Sequence, residues 1–363
     1  MQLRKLSQEI QSTLQMKILH IITKSEMGGA QRHVFDQAKN SKQDITVVCG
    51  GNGELLKKLK EANIKTYSIP TLSNSPNPIK IIKFLKELRK PIQDADIVHC
   101  HSTVAGFWGR LLGKYYKKKT VFTAHGFAFK EKTMYSPLYL LIELIASYAT
   151  DLVIAVSKED EQLAKKYKLG KKIVYIPNGV EYKNKKPKEN KRAVIGAIAH
   201  FYKNKGLLYL IKACNTLDIE TRIIGDGPLR RDLEENASKN IRFLGSKVDV
   251  QKEMEKLDII VLPSLKEGMP YVLLDAAAQK KAVIVTKVGA MPDIVKKNGI
   301  IVPPADTNAL RKAIQKLATN RTLRKQYGEE LYKTCEKEYS LKKMLKSTEK
   351  AYKTLEKERT NVT

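Results

Sequence analysis

Two carboxylates in the second half of the chain have the spacing of a ligand-binding pair. Glu267 follows a strongly apolar strand pattern at 259–262, and seven residues separate it from Asp275 on the next predicted helix. In open α/β sheets, ligands bind beyond the carboxyl ends of strands, where helix N-termini direct N–H groups at anions. Gly268 permits close backbone approach, and Pro270 suits the first helical position. The two acids could therefore bind different hydroxyls of one ligand. The alternative is an ordinary strand-to-helix turn with solvated acids, which would have the same spacing.

Other candidate side chains also follow predicted strands. His125 ends a strand pattern, and a position at a strand's carboxyl end favours a functional histidine over a structural one. Lys205 begins the helix after another strand and could lie against a phosphate as a mobile point charge. Gly28 and Gly29 follow the first strand, so backbone N–H groups could approach a diphosphate there. A plain glycine-rich turn is the alternative interpretation of that loop.

Strand and helix patterns alternate along nearly the whole chain. Alternation of this kind predicts mostly parallel sheets covered on both faces by helices. The predicted strands lie at 17–23, 45–49, 64–69, 96–100, 119–124, 151–156, 172–176, 193–199, 219–224, 240–244, 258–262, 282–286 and 299–302, and the final helices at 306–319, 321–337 and 340–358.

A polar, charged and proline-containing segment divides this alternation into two series. We predict a linker at 181–192, between a first Rossmann-like domain at 16–180 and a second at 193–340. Residues 1–15 are predicted to form a short amphipathic arm, and 341–363 a C-terminal helix. The predicted fold class is α/β, with two Rossmann-like domains whose parallel sheets face a central cleft.

Composition indicates a globular protein of the cytoplasm. The 363 residues are 42% hydrophobic, which is enough for two separate cores. The four cysteines form no CxxC pair and no metal-ligand spacing, so buried or free thiols in a reducing compartment are expected. Neither a signal sequence nor a membrane span is predicted. The most apolar stretch, 135–148, is short and contains Glu143, which favours a buried helix.

The charge of the chain points to an anionic partner. Lys and Arg number 67 against 38 Asp and Glu, for a formal net charge of +29. Nucleic acid is not favoured, because helix-turn-helix, zinc-finger and ribonucleoprotein patterns are absent from the sequence. Basic residues cluster around apolar ones at 79–90 and 110–119, which favours an anionic membrane surface. A lysine-rich solvated surface without a partner is the alternative.

Short motifs along the chain resemble retaining glycosyltransferases of family 4, which have the two-domain GT-B fold. The Glu267 and Asp275 spacing is similar to the family's acid-x7-acid signature, and the match runs in the family's order from about residue 17 to about residue 320. Each motif is weak alone, but their ordered spacing favours the family. The other matching motifs are Gly28-Gly29-Ala30-Gln31, Asp96-Ile97-Val98-His99, Thr123-Ala124-His125-Gly126, Ile176-Pro177-Asn178-Gly179-Val180, Lys205-Gly206 and Gly225-Asp226-Gly227-Pro228. The resemblance also implies a last helix that crosses back to the first domain.

The resemblance implies roles for the residues of the second domain. Glu267 would hold the donor sugar, at a donor site that includes Gly268, Met269 and Pro270. Asp275 would bind the ribose hydroxyls of the nucleotide, although the family more often has glutamate at this position.

Further roles implied by the resemblance concern the diphosphate and the sugar. Gly28 and Gly29 would lie over the donor diphosphate, and Lys205 would absorb negative charge on the leaving group. His125 would orient the sugar near its reacting carbon. His200 stands where the family usually has arginine, so Lys203 or a protonated His200 would have to substitute for it in neutralising the diphosphate.

No metal or other cofactor is expected. Asp94-Ala95-Asp96 matches the D-x-D letters of manganese-dependent glycosyltransferases, but it precedes its strand and so lies at the wrong edge of the sheet. Positive side chains and helix dipoles can stabilise a leaving diphosphate instead. His99 and His101, at the end of the same strand, are weaker candidates that would line the acceptor pocket.

Together the patterns predict a metal-independent retaining glycosyltransferase at the inner face of the cell membrane. It would move a sugar from a nucleotide diphosphate sugar to a hydroxyl acceptor, a glycan or a lipid-linked molecule, in cell-surface glycan synthesis. A nucleotide-sugar epimerase of the same fold and a non-catalytic anionic-lipid-binding protein are the alternatives. A nicotinamide-dependent oxidoreductase would need the G-x-G-x-x-G fingerprint, which the first loop lacks.

Overall fold

The chain divides into two compact units. The computed structural model describes residues 15–73, 77–130, 133–188, 190–247 and 249–360, with side chains described up to residue 356. One unit comprises Met1–Pro177 and Leu345–Thr363, and the other Asn178–Met344. The predicted arm at 1–15 lies outside the described residues, apart from Gln15.

The first unit contains a seven-stranded parallel sheet. Its spatial order is β3-β2-β1-β4-β5-β6-β7, so the direction of winding reverses between β1 and β4. The strands are β1 (Lys17–Ile22), β2 (Asp44–Cys49), β3 (Lys65–Ser68), β4 (Ile97–His101), β5 (Lys119–Ala124), β6 (Leu152–Ala155) and β7 (Lys172–Tyr175). The central strands are buried along almost their whole length, as expected for a parallel sheet covered on both faces.

The second unit contains a six-stranded parallel sheet of the same kind. Its order is β10-β9-β8-β11-β12-β13, and the winding reverses between β8 and β11. The strands are β8 (Ile195–Ile198), β9 (Thr221–Ile224), β10 (Ile241–Phe243), β11 (Ile259–Leu262), β12 (Ala282–Thr286) and β13 (Ile300–Val302). Each sheet therefore has one topological switch point, where ligands bind in folds of this class.

Helices connect the strands of both sheets. Those of the first unit are α1 (Gly29–Asn40), α2 (Glu54–Glu61), α3 (Pro78–Asp94), α4 (Thr103–Tyr115), α5 (Ser136–Ser147) and α6 (Lys158–Lys166). Those that follow are α7 (Leu207–Cys214), α8 (Arg230–Glu235), α9 (Val250–Glu255), α10 (Tyr271–Ala278), α11 (Met291–Val295), α12 (Thr307–Thr319), α13 (Arg321–Glu338) and α14 (Leu341–Thr360). Helix α14 begins in the second unit and continues into the first from Leu345.

The predicted α/β class and its strands are confirmed. Every strand expected from the sequence is present, with ends within two residues of the expected ones, and every described pairing within the two sheets is parallel. The segment predicted as a linker has no regular secondary structure at 181–188, and Asn190 Nδ2 donates to Asp258 Oδ2 at 2.8 Å. The four cysteines are free and buried.

The expectation of a buried helix at 135–148 is wrong. Helix α5 occupies this stretch, but only Glu143 and Ala146 are buried among its residues. Glu143 contacts Arg110 of α4 at 2.8 Å, and the Arg110 side chain is fully buried. The acidic residue thus turns inward, while large apolar side chains such as Leu138 and Leu141 are exposed. Within the described ranges, no helix combines the length and the apolarity needed to span a bilayer.

Candidate active site

The second unit brings two predicted site residues together at its switch point. Strand β8 leads through His200 to a 3-10 turn at Lys203–Lys205, and β11 leads through Pro263 to Glu267. Because β8 and β11 are adjacent and parallel, the loops after them start at the same sheet edge. This places Lys205 and Glu267 beyond the carboxyl ends of the two central strands.

A close backbone contact fixes these two loops against each other. Gly206 has a φ of +63°, and a Cβ there would lie 2.1 Å from the Pro263 carbonyl oxygen. Only glycine fits such a left-handed, crowded position without strain. The Leu265 N–H also donates to the Asn204 carbonyl at 2.8 Å. The glycine of the Lys205-Gly206 motif therefore sets how near Lys205 can come to Glu267.

Glu267 is held by a cation and a hydroxyl. Lys205 Nζ donates to Glu267 Oε1 at 2.7 Å, and Ser264 Oγ donates to the same oxygen at 2.8 Å. The two charged side chains are 24% and 11% exposed, so the pair is reachable by ligand yet largely shielded from water. With Pro263, Pro270 and Val272, these three residues line a cavity that reaches the ends of β8 and β11. The arrangement offers a cation for a phosphate beside a carboxylate for hydroxyls.

Neighbouring loops support the turn that follows Glu267. A Cβ on Gly289 would lie 2.3 Å from the Glu267 carbonyl oxygen, and the Ala290 N–H donates to the Gly268 carbonyl at 2.8 Å. Asn178 Nδ2 donates to the Met269 carbonyl at 2.9 Å, and Met269 itself is buried. The Glu267–Pro270 turn is thus held from two sides, which fixes its backbone before any ligand arrives.

Asp275 lies on α10 and is almost completely buried, at 5% exposure. Helix α10 begins at Tyr271, with Pro270 as its N-terminal cap residue. Burial raises the pKa of the Tyr182 hydroxyl, and the nearby Cys335 and Asp275 raise it further. The structure therefore places Asp275 deeper than Glu267, near Tyr182.

His200, by contrast, is exposed in the loop after β8.

The first unit gathers five of the six histidines of the chain into one cluster. His20 lies on β1, His99 and His101 on β4, His125 directly after β5, and His33 on α1. Within this set the ring centroids of His99 and His101 are 4.3 Å apart, and those of His33 and His125 are 4.9 Å apart. Gly28, the residue before α1, and Gly29, its first residue, precede His33 on the same loop and helix.

Hydrogen bonds connect His125 to the core of the sheet. His101 Nδ1 and His125 Nε2 share a hydrogen bond at 3.2 Å, and His101 Nε2 shares another with His20 Nδ1 at 2.9 Å. His99 is bonded through Nδ1 to Tyr352 of α14 at 2.6 Å and through Nε2 to Thr123 at 2.7 Å. His125 is thus the partly exposed end of a chain of imidazoles that runs inward.

The expectation that His99 and His101 line an acceptor pocket is wrong. Both side chains are fully buried, because β4 is a central strand covered on both faces. Burial lowers the pKa of both histidines well below its ordinary value, and neighbouring histidines lower it further. Burial likewise lowers the pKa of His20, to about 3, and that of His125 well below its ordinary value. These four imidazoles are therefore neutral at physiological pH.

Two overlapping sets of histidines could hold a metal ion in the described part of the chain. They are His20, His99 and His101, and His33, His101 and His125, with donor atoms within 4.8 Å of one another in each set. Both ring nitrogens of His99 and of His101 are already engaged in hydrogen bonds. A metal would therefore have to break this network. Asp96 of the Asp94-Ala95-Asp96 triplet accepts from the Lys17 N–H at the start of β1, at the edge opposite His125.

Several supporting residues could not be identified from the sequence. These residues are outside the motifs that match the family: Ser264 and Gly289 near Glu267, and His20 and Tyr352 in the histidine network. Their contacts join segments far apart in the chain, such as His99 and Tyr352, which are 253 positions apart. Asn178 lay within a matching motif, and its contact with Met269 gives that motif a structural role.

Two Rossmann-like units, each with a parallel sheet and a switch point, have the architecture of the GT-B fold, and comparison with known proteins identifies the class of enzyme. The model of the group 1 glycosyl transferases matches residues 192–320, and that of Glycosyltransferase Family 4 matches residues 27–183. The chain belongs to this family of glycosyltransferases. The predicted family, fold and transferase activity are thereby confirmed.

Individual relatives agree with this assignment. The chain is 30% identical to an uncharacterized glycosyltransferase of Methanocaldococcus jannaschii, over 81% of this chain and 86% of that one. It is 28% identical, over 85% and 89% of the two chains, to the UDP-Gal:alpha-D-GlcNAc-diphosphoundecaprenol alpha-1,3-galactosyltransferase of Escherichia coli. The crystal structure of Anabaena HepE in complex with UDP and glucose shares the fold, with a TM-score of 0.83 over 93% of this chain and 99% of that one at 17% identity.

Proposed function

We propose that this enzyme transfers a sugar from a nucleotide diphosphate sugar, with retention of configuration, to a lipid-linked acceptor in cell-surface glycan synthesis. The observation that carries the proposal is the Lys205 and Glu267 pair at the switch point of the second sheet, with Oε1 of Glu267 held at 2.7 Å from the lysine. A donor of this kind carries both a diphosphate for the cation and sugar hydroxyls for the carboxylate.

The proposed roles of the second unit follow from the charges present. Lys205 neutralises the leaving diphosphate, and Glu267 holds the donor sugar through its hydroxyls. Gly268, Met269 and Pro270 present backbone at the start of α10, where the helix N-terminus favours negative charge. Asp275 binds the ribose hydroxyls. His200, exposed in the loop after β8, adds positive charge when protonated.

In the first unit, we propose that His125 orients the donor sugar and that the Gly28-Gly29 loop contacts the diphosphate. The hydrogen bond between His101 and His125 supports this role, because it restrains the imidazole ring and leaves one nitrogen for a ligand. The reaction would need no metal, since a lysine and helix N-termini can stabilise the departing diphosphate.

The nature of the donor and acceptor is suggested by relatives. The Escherichia coli relative uses UDP-Gal and an acceptor linked to diphosphoundecaprenol, as its name states. The HepE structure contains UDP. UDP-sugars and a polyprenyl diphosphate acceptor are therefore the first substrates to test.

A thermal-shift screen of nucleotide sugars tests the donor proposal directly. A ligand that binds only the folded state raises the melting temperature, so one UDP-sugar and free UDP should both raise it. Sugar transfer should then survive treatment with EDTA, and NMR of the product should show the anomeric configuration of the donor. Loss of transfer on chelation that manganese restores would contradict the metal-free reaction, and an inverted product would contradict retention.

A further inference from the structure

Exposed apolar side chains of the first unit concentrate on three neighbouring helices. Of the fourteen large hydrophobic side chains that are exposed in the described ranges, ten lie on α3, on α5 and its flanks, or at the end of α4. Helix α3 packs against α4, and α4 against α5. We call these ten residues the apolar patch: Ile79, Ile82, Tyr115, Met134, Tyr135, Leu138, Leu141, Leu144, Ile145 and Tyr148. Seven of the ten, from Met134 to Tyr148, lie on α5 and its flanks. Clusters of this kind mark interaction surfaces, whereas single exposed hydrophobic residues are ordinary.

Helix α5 presents no charge on its outer face. Its one charged residue, Glu143, is buried and contacts Arg110 inside the unit. Leu138, Leu141 and Ile145 lie three or four positions apart, so they share one side of the helix, and each is about half exposed, at 52%, 52% and 49%. The buried ion pair therefore fixes which side of α5 faces outward.

Basic side chains border the apolar patch. Lys80, Lys83 and Lys86 are exposed on α3, between and beyond Ile79 and Ile82. At the end of α4, Lys114 Nζ lies 5.5 Å from the centre of the Tyr148 ring. A surface that combines apolar and aromatic side chains with lysines is suited to the headgroup region of an anionic bilayer.

We propose that the apolar patch inserts into the interface of a bilayer that contains anionic lipid, with α5 lying along the membrane plane. The lysines then contact lipid headgroups while the leucines and Ile145 enter the acyl region. A second copy of this chain is a poorer occupant, because it carries the same net charge of +29 and would be repelled. This inference deepens the proposed function, since it supplies the surface on which a lipid-linked acceptor would be met.

Two components of binding follow, and they respond differently to salt. Attraction between lysines and headgroups is screened by salt, whereas burial of apolar side chains is not. Wild-type protein should therefore sediment with phosphatidylglycerol–phosphatidylcholine vesicles at low salt and retain part of that binding at high salt. The triple variant Leu138→Gln, Leu141→Gln and Ile145→Gln should bind at least about tenfold more weakly at high salt.

A matched control removes exposed hydrophobic side chains outside the apolar patch. Tyr67→Gln with Leu208→Gln does so, because both residues are also exposed, at 37% and 36%, and lie on β3 and α7. This variant should bind vesicles as wild type does. Equal binding by the triple variant and wild type, or failure of wild type to bind anionic vesicles at low salt, would overturn the proposal.

A site-specific label gives a second measurement that does not depend on a triple substitution. The four native cysteines are buried, so a cysteine introduced by Leu141→Cys can be labelled selectively with an environment-sensitive dye. Anionic vesicles should shift its emission to the blue, while a label at Leu208→Cys should not respond. If the wild type is instead a dimer that dissociates in the triple variant, and the label at Leu141→Cys shows no blue shift, the patch is a contact between copies of this chain. Because no donor or acceptor is present, these outcomes do not depend on whether the proposed sugar transfer is correct.

Discussion

At the scale of single residues, environment decides what each titratable group can do. Glu267 and Lys205 are partly exposed and paired with each other, so they can exchange this contact for contacts with a ligand. His20, His99 and His101 are fully buried. His20 bonds to His101, which bonds to His125 and restrains its ring, while His99 bonds to Tyr352 and Thr123. The same residue type is thus partly exposed to a ligand at position 125 and buried as a support at positions 20, 99 and 101.

Replacing Asp275 with alanine should weaken binding of free UDP by about 1–3 kcal/mol, if its carboxylate accepts hydrogen bonds from the ribose. Titration calorimetry measures this loss. Asp275→Glu is the matched control, because it keeps the carboxylate and should retain binding. Unchanged UDP affinity in the alanine variant, with an unchanged melting temperature, would remove Asp275 from the nucleotide site.

The buried histidines make stability depend on pH. His20, with a pKa of about 3, and His99, His101 and His125, whose pKa values are well below the ordinary one, remain neutral in the folded chain. In the unfolded chain each titrates near pH 6.5. The unfolded state therefore takes up more protons below that pH, and stability should be complete above about pH 7 and fall as the pH decreases.

Each neutral histidine should contribute up to about 1.4 kcal/mol of lost stability per pH unit below about pH 6. Denaturant unfolding followed by circular dichroism at several pH values measures the slope. His200→Asn should leave the slope unchanged, because His200 is exposed and outside the cluster. A free energy of unfolding that stays constant from about pH 7 down to about pH 5 would contradict buried, neutral imidazoles.

At the scale of elements, the loops after the central strands determine the site. Gly206 and Gly289 let backbones approach closely enough to bring Lys205 to Glu267 and to support the turn at Gly268. Helix α5 is positioned by the ion pair between Arg110 and Glu143. The guanidinium also lies 4.1 Å from the centre of the Phe122 ring and donates to the Gly106 carbonyl.

Glu143→Ala should destabilise the first unit by about 3–5 kcal/mol, because it leaves the fully buried Arg110 guanidinium without its carboxylate. Denaturant unfolding measures the change. Glu161→Ala breaks a surface pair with Lys165 on α6 and should cost less than about 1 kcal/mol. Equal effects of the two substitutions would show that the buried pair has no special role in placing α5.

Sequence patterns predicted the elements well and the contacts between them poorly. The strands could be found because apolar runs and alternation with helices are local signals, and the acid pair because it is local too. The outer face of α5 was misjudged, since only its packing on α4 shows that Glu143 points inward. His99 and His101 were placed in a pocket, since the sequence does not show that β4 is central between β1 and β5.

At the scale of the whole molecule, two units of one fold type carry different groups. The second presents a cation and a carboxylate at its switch point, and the first presents His125 at the end of a neutral histidine network. Helix α14 runs from the second unit into the first, where Tyr352 bonds to His99. The net charge of +29 and the apolar patch are the observations behind the proposed contact with a membrane surface.

The most direct test of the central claim is sugar transfer from a UDP-sugar to a polyprenyl diphosphate acceptor by wild type and by Glu267→Ala. The variant should lose transfer while keeping its melting temperature, because Glu267 faces a cavity and its partner Lys205 is itself partly exposed. Glu235→Ala, which removes a surface carboxylate from the same unit, should retain full activity. Wild-type transfer that disappears only in Glu267→Ala is the predicted result, and near-normal turnover by that variant would contradict the account.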